Sequence, residues 1–257
     1  MENPWGEEAL FETLFDMFSR LPRQGPGLDS MTREAFQMLP LNSERPKILE
    51  IGCGTGVPTR VLAKLSKGSI VATDLYQPYL DTLMKHAGEE GVADQITTRC
   101  VSMDSLDFPA GSFDLIWSEG SIFVVGFETG LRNWRKFLTP DGCLVCSEIT
   151  WRRPDAPDEL RDYWDSIGCL VQEEATNCHI AKEAGYEVLA TKWLDARGWW
   201  KQYYTPFEEL SPSWSAEMDA KPKLRELVEA MKLEIDMFRK YSDYYGYTFY
   251  LLRNRGE

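Results

Sequence analysis

Lys47-Ile48-Leu49-Glu50-Ile51-Gly52-Cys53-Gly54-Thr55-Gly56 joins a buried-strand pattern to a turn of three alternating glycines, with an acid just ahead of it. Lacking a Cβ, these glycines let the backbone reverse sharply and come within contact distance of a ligand. Such a turn holds a nucleotide-like cofactor, and the rest of the chain must decide which one.

Outward from the turn, the pattern alternates between β and α. Strands are predicted near 47–51, 69–74, 96–101, 113–118 and 142–149, with helices near 57–66, 77–91 and 127–138 between most of them. Strands separated by helices imply a parallel sheet covered on both faces, with ligands at the carboxyl ends of the strands where strand order reverses. Four features fall at successive strand ends. The glycine turn follows the first. Asp74 closes Val71-Ala72-Thr73-Asp74, about 20 residues on, where a carboxylate can accept hydrogen bonds from ribose hydroxyls. Asp104 follows the third strand, placed for the exocyclic amine of an adenine, and Trp117-Ser118-Glu119 ends the fourth. A nicotinamide site would space its glycines to set a pyrophosphate on the helix N-terminus. Here the third glycine comes one residue early, and Glu50 would repel phosphate and attract an amino group.

In this order the motifs from Lys47 to Ile149 resemble those of the class I S-adenosylmethionine-dependent methyltransferases. Phe108-Pro109-Ala110-Gly111-Ser112-Phe113-Asp114-Leu115 and Phe137-Leu138-Thr139-Pro140-Asp141-Gly142 are similar to the family's approaches to its fourth and fifth strands. The resemblance implies an α/β, Rossmann-like, seven-stranded, mostly parallel sheet with helices on both faces and an antiparallel last strand. It implies S-adenosylmethionine as cofactor, with Glu50 and Gly52 at its methionine end, Asp74 at the ribose, Met103 and Asp104 at the adenine, and Leu75 against the ring. Cys53, Gly54, Gly56, Ser118 and Glu119 complete the cofactor-facing set. A narrower resemblance is to small-molecule methyltransferases of the ubiquinone and menaquinone type, in which an N-terminal helical segment covers the cofactor.

A sulfonium cofactor already carries an activated methyl group, so the protein mainly holds the nucleophile against it with water excluded. A general base is needed only where the nucleophile must lose a proton. Glu119 and Glu148 are the catalytic candidates, each at the carboxyl end of a predicted central strand; the plainer alternative is that each caps a helix or satisfies loop amides. Trp151, Trp200, Tyr203 and Tyr204 are the substrate candidates, since aromatic walls suit planar, apolar or methylammonium-like groups. Most aromatics in a domain are simply core. A protein or RNA acceptor, a module that binds the cofactor without turnover, and a nicotinamide oxidoreductase stand as alternatives.

The chain has 257 residues, and its 41 acidic side chains against 28 basic ones give a net charge of −13. That field repels nucleic acid and anionic lipid, so neither is expected as a partner, and oligomeric state is left open. Met1-Glu2-Asn3-Pro4-Trp5-Gly6-Glu7-Glu8 lacks a cationic leader and an apolar core, no later stretch reads as membrane-spanning, and a cytoplasmic location is expected. No metal is expected: Cys143 and Cys146 lie three apart on a predicted strand and so point to opposite faces, and His86 and His179 fall on helices without a second ligand in sequence. Apolar residues at helical spacing between 7 and 21 predict one N-terminal helix, a second is expected near 29–39, and the narrower resemblance implies that 1–45 form an N-terminal helical lid. The methyltransferase domain then covers 46–257. Helices are expected near 157–166, 175–184 and 223–241, strands at 186–194 and 246–252, and an aromatic and helical insertion, opening with a loop, at about 195–245.

Overall fold

The computed structural model describes residues 8–256; the expectation drawn from residues 1–7 lies outside them. The chain forms two units: a helical one from residues 8–27 and Asp195–Ser242, and a sheet unit from Leu28–Leu194 and residues 243–256. The expected boundary at residue 45 does not coincide with this division. Helix α1 (Glu8–Ser19) belongs to the helical unit, whereas α2 (Asp29–Gln37) belongs with the sheet.

In the sheet unit, β1 (Lys47–Ile51), α3 (Val57–Ser66), β2 (Ser69–Asp74), α4 (Gln77–Glu89) and β3 (Ile96–Cys100) follow one another. Then come β4 (Phe113–Ser118), α5 (Phe127–Arg135), β5 (Leu138–Trp151), α6 (Asp158–Ser166), β6 (Gln172–Glu173), α7 (Glu174–Glu183) and β7 (Tyr186–Trp193), with β8 (Tyr245–Asn254) closing the sheet. The strand order is β3-β2-β1-β4-β5-β8-β7. β1 pairs in parallel with both β2 and β4, while β8 is antiparallel to β5 and β7. Strand order therefore reverses between β1 and β4, the crevice where open α/β sheets take ligands.

Alternation along the strands sorts the core. Leu49 and Ile51 of β1, Ile116 of β4, Leu144 and Cys146 of β5 and Tyr250 and Leu252 of β8 form one buried cluster with Leu131 and Trp134 of α5 and Ala181 of α7. Ile48, Glu50, Leu115 and Trp117 point to the other face. Ile48, Leu49 and Ile51 are all fully buried, and each such side chain contributes about 1.5–3 kcal/mol. This explains why so short a strand fixes the register of its two neighbours.

In the helical unit, α8 (Arg197–Trp199) runs through a π-helical turn at Trp200–Tyr204 into α9 (Thr205–Leu210). α10 (Ser215–Ala220) and α11 (Pro222–Tyr241) follow. The expected loop after residue 194 is thus helical in short pieces, the prolines sitting in first turns where a missing N–H costs nothing. α11 buries Leu224, Val228, Met231, Ile235 and Phe238 along one face, and Trp199 stacks on Phe238 at 4.4 Å between ring centroids.

Three further expectations are corrected. β5 runs from Leu138 to Trp151, not 142–149, because β4 pairs with it at Leu138 and β8 bonds it as far as Trp151. The two-residue β6 pairs with Thr150 and Trp151, adding an eighth strand to the expected seven. Glu148 therefore lies inside a strand, not at its end.

Candidate functional site

The glycine turn is built by β2 as much as by its own residues. The N–H groups of Gly52 and Cys53 both donate to the carbonyl of Thr73, at 2.9 and 3.0 Å, and the Thr73 hydroxyl donates back to the Glu50 carbonyl at 3.0 Å. Asp74 closes the turn: Oδ2 accepts the Gly54 N–H at 2.9 Å and Oδ1 the Tyr76 N–H at 3.1 Å. Burial raises the Asp74 carboxyl above its ordinary range, and those backbone amides oppose the shift. Gly52 and Gly56 have φ of 70° and 75°. A Cβ on Gly52 would lie 2.6 Å from the Ser121 side chain, and one on Gly56 would lie 2.1 Å from Leu83 of α4.

That close approach brings the loop after β4 to the turn. The Ser121 hydroxyl donates to the Ile51 carbonyl at 2.9 Å and pairs with the Ser118 hydroxyl at 2.7 Å. Ser118, expected to face the cofactor, is fully buried, and its side chain reaches β1 only through Ser121. The Met103 methyl reaches within 3.5 Å of the position a Gly52 Cβ would take, so the loop after β3 also meets the turn. Met103 is fixed through its carbonyl, which accepts the Trp134 indole N–H at 3.2 Å. The ends of β1, β2, β3 and β4 thus converge on Gly52–Gly54.

Glu50 is buried within β1 and Cys53 within the turn. Burial, then the Glu50 and Asp74 charges, push the Cys53 thiol up, so it stays protonated. Leu75 stands exposed beside Asp74. Asp104 is exposed too, and hydrogen bonds from Ser102 and Ser105 hold its carboxylate below the usual range.

Glu119 is half-buried beyond β4, and its Oε1 accepts two hydrogen bonds: from the Thr32 hydroxyl of α2 at 2.6 Å and from the Trp117 indole at 2.9 Å. The neighbouring Gly120 N–H donates to the Ser147 hydroxyl at 2.8 Å, anchoring the loop to β5. Thr32 and Ser121 were not singled out in the sequence. Thr32 left one trace, a lone hydroxyl between Met31 and Ala35 on the buried face of α2.

Glu148 is buried, and burial pushes its carboxyl up to about 8. Trp151 ends β5 in a cluster with Tyr245 and Trp164, with the Arg161 guanidinium over its ring. The other three aromatic candidates belong to the helical unit. Tyr203 and Tyr204 are buried there with rings stacked at 5.1 Å; the Tyr204 hydroxyl donates to Glu234 at 2.7 Å, and Trp200 packs edge-on against Tyr204. Cys143 and Cys146 are fully buried, and burial raises both thiols.

Residues 48–142 match a family described as methyltransferase domain. The ribosomal protein arginine N-methyltransferase rmt3 of Schizosaccharomyces pombe is 27% identical over 129 residues, 47% of this chain and 24% of that protein. The sterol 24-C-methyltransferase erg6 of Aspergillus fumigatus is 24% identical over 186 residues, 66% of this chain and 48% of that protein. The chain therefore spans half or less of these curated relatives. The crystal structure of a SAM-dependent methyltransferase from Thiobacillus denitrificans, in complex with S-adenosyl-L-homocysteine, superposes with a TM-score of 0.79 at 16% identity, covering 95% of this chain and 98% of that one. Residues 48–142 thus match a methyltransferase-domain family, and the chain shares its fold with that solved SAM-dependent methyltransferase.

Proposed function

We propose that the chain binds S-adenosylmethionine at the glycine turn and transfers its methyl group to a small-molecule acceptor by in-line displacement. The observation that carries this is the convergence of four strand ends on Gly52–Gly54, with a carboxylate at the end of β2 and another beyond β4. Gly52 and Gly54 would hold the methionine end with Glu50, Asp74 the ribose hydroxyls, and Leu75, Met103 and Asp104 the adenine. When bound, the cofactor supplies a methyl group already activated on a sulfonium, so the chain's own task is to orient the acceptor and exclude water. Glu119 suits that task. Two donors fix one of its oxygens, which sets the direction in which the carboxylate faces. Glu148 suits it poorly, because a buried carboxyl that keeps its proton at neutral pH cannot accept another.

The net charge of −13 supports a small acceptor over RNA, as does the likeness to a sterol methyltransferase. The resemblance to ubiquinone- and menaquinone-type enzymes favours a planar or apolar one, and the exposed Phe123 and Val124 just beyond Glu119 fit that chemistry. A protein acceptor is the second reading, supported by the likeness to a ribosomal protein arginine methyltransferase. Cys53, Cys143 and Cys146, buried as free thiols, fit a reducing compartment such as the cytoplasm.

The test is methyl incorporation from labelled S-adenosylmethionine into fractionated metabolite and protein pools. Label in a small-molecule fraction, reduced at least about tenfold by Glu119→Gln with cofactor affinity retained, is the expected result. Label confined to protein would replace the first reading with the second, and activity untouched by Glu119→Gln would remove that residue's role.

A further inference from the structure

At the amino edge of the sheet, where β5 begins and β8 ends, lies an open depression of about 540 Å³. The glycine turn sits at the opposite, carboxyl edge. Arg132, Arg135 and Lys136 line the depression, together with Leu138, Pro140, Asn254 and Gly256, and among the described residues no carboxylate side chain lines it. In a chain of net charge −13 that is an unusual concentration of one sign.

Arg135 is held in place without being neutralised. Its Nε–H donates to Asn254 Oδ1 at 2.9 Å, and Asn254, itself buried, donates through Nδ2 to the Thr139 carbonyl at 3.1 Å. The guanidinium also lies over Gly185, where a Cβ would come within 2.7 Å of Cζ. A neutral amide and a glycine thus fix its orientation. The Lys136 ammonium sits 4.9 Å from the Phe137 ring centroid. Among the described residues neither Arg135 nor Lys136 has a carboxylate partner, unlike Arg20, Arg60, Arg239 and Arg253, which all do. Arg132 pairs with Glu128 at 2.8 Å and donates to the Glu183 carbonyl at 3.3 Å.

The plainer explanation is that these cations complement the carboxyl ends of α5 and α7, which both finish here. Two helix ends supply roughly one negative charge together, and Glu128 offsets Arg132. Among the described residues, the three cations outweigh these negative charges. Its volume falls within the roughly 300–1,000 Å³ of small-ligand sites, and a guanidinium held in place beside an exposed ammonium matches the oxygens of a phosphate group. We propose that this depression binds a phosphate-bearing small-molecule anion, at a site separate from the glycine turn and independent of what that turn holds.

The test is calorimetric titration of the full chain with pyrophosphate at low ionic strength, with inorganic phosphate in a parallel arm. Saturable binding of pyrophosphate is expected, unaffected by saturating S-adenosylmethionine and weakened at least about tenfold by Arg135→Gln and by the surface substitution Lys136→Gln. Binding of inorganic phosphate with the same dependence on Lys136 would assign the site to free phosphate, and weaker binding of it would assign the site to diphosphate-bearing molecules; either supports the proposal. Absence of binding in both arms, competition by S-adenosylmethionine, or equal affinity in Lys136→Gln at an unchanged melting temperature would overturn it.

Discussion

The Thr32 hydroxyl and the Trp117 indole donate to the same oxygen of Glu119, at 2.6 and 2.9 Å, so a helix ahead of the sheet and a strand within it jointly aim one carboxylate. Thr32 is fully buried, which makes valine a shape-conserving probe. Thr32→Val should lower stability by about 1.5–3 kcal/mol, the range for a hydrogen bond to a charged group. Turnover should fall while cofactor affinity stays within about twofold, because α2 makes none of the bonds that close the glycine turn. Denaturant unfolding and steady-state kinetics on one preparation check both halves.

Stability should depend on pH through Glu148. Its Oε2 and the Thr248 hydroxyl directly across the β5–β8 pair lack hydrogen-bond partners among the described residues, and burial lifts the folded carboxyl from 4.5 to about 8. The folded state keeps the proton and the unfolded state loses it, so between those two values stability falls as pH rises. The slope from this one group is about 1.4 kcal/mol per pH unit. Glu148→Gln should abolish that component, making the variant's stability curve flatter than wild type from pH 5 to 8. Parallel curves would contradict the assignment.

The glycines of the turn are unequal to glycines elsewhere. Gly56→Ala must place a side chain at φ 75° and 2.1 Å from Leu83, and should cost about 2–4 kcal/mol by chemical denaturation. Gly25→Ala, with nothing within 4 Å of a new Cβ, should stay within about 0.5 kcal/mol.

Tyr204→Phe distinguishes a core tyrosine from a substrate-binding one. Its hydroxyl donates to Glu234, whose carboxyl burial raises and this bond lowers. Loss of the donor should destabilise the protein by about 1–3 kcal/mol and leave the acceptor KM unchanged. A raised KM with unchanged stability would return Tyr204 to the acceptor site.

Much of this was legible because it is local. The run from Ile48 to Gly56 and the strand ending in Asp74 carry their structure in adjacent residues: apolar alternation, glycines where φ is positive, an acid closing the turn. What escaped was set by partners distant in sequence. β5 is longer than its own pattern suggests because β8 bonds it past residue 149, and the turn-like Thr139-Pro140-Asp141-Gly142 hid its start. A loop was expected after residue 194, yet Pro206 and Pro222 there sit in the first turns of α9 and α11. Thr32 and Ser121 could not be named in advance, since a hydroxyl earns a role only when folding brings Glu119 or Ile51 to it.

The most direct measurement of the central claim is calorimetric titration of S-adenosyl-L-homocysteine into the wild type and Asp74→Asn. One saturable site in the wild type is expected, weakened at least about tenfold in Asp74→Asn, a loss of about 1.4 kcal/mol or more, since the amide cannot accept at both the turn and the ribose. No binding of this ligand or of S-adenosylmethionine, alongside binding of a nicotinamide dinucleotide, would contradict the claim.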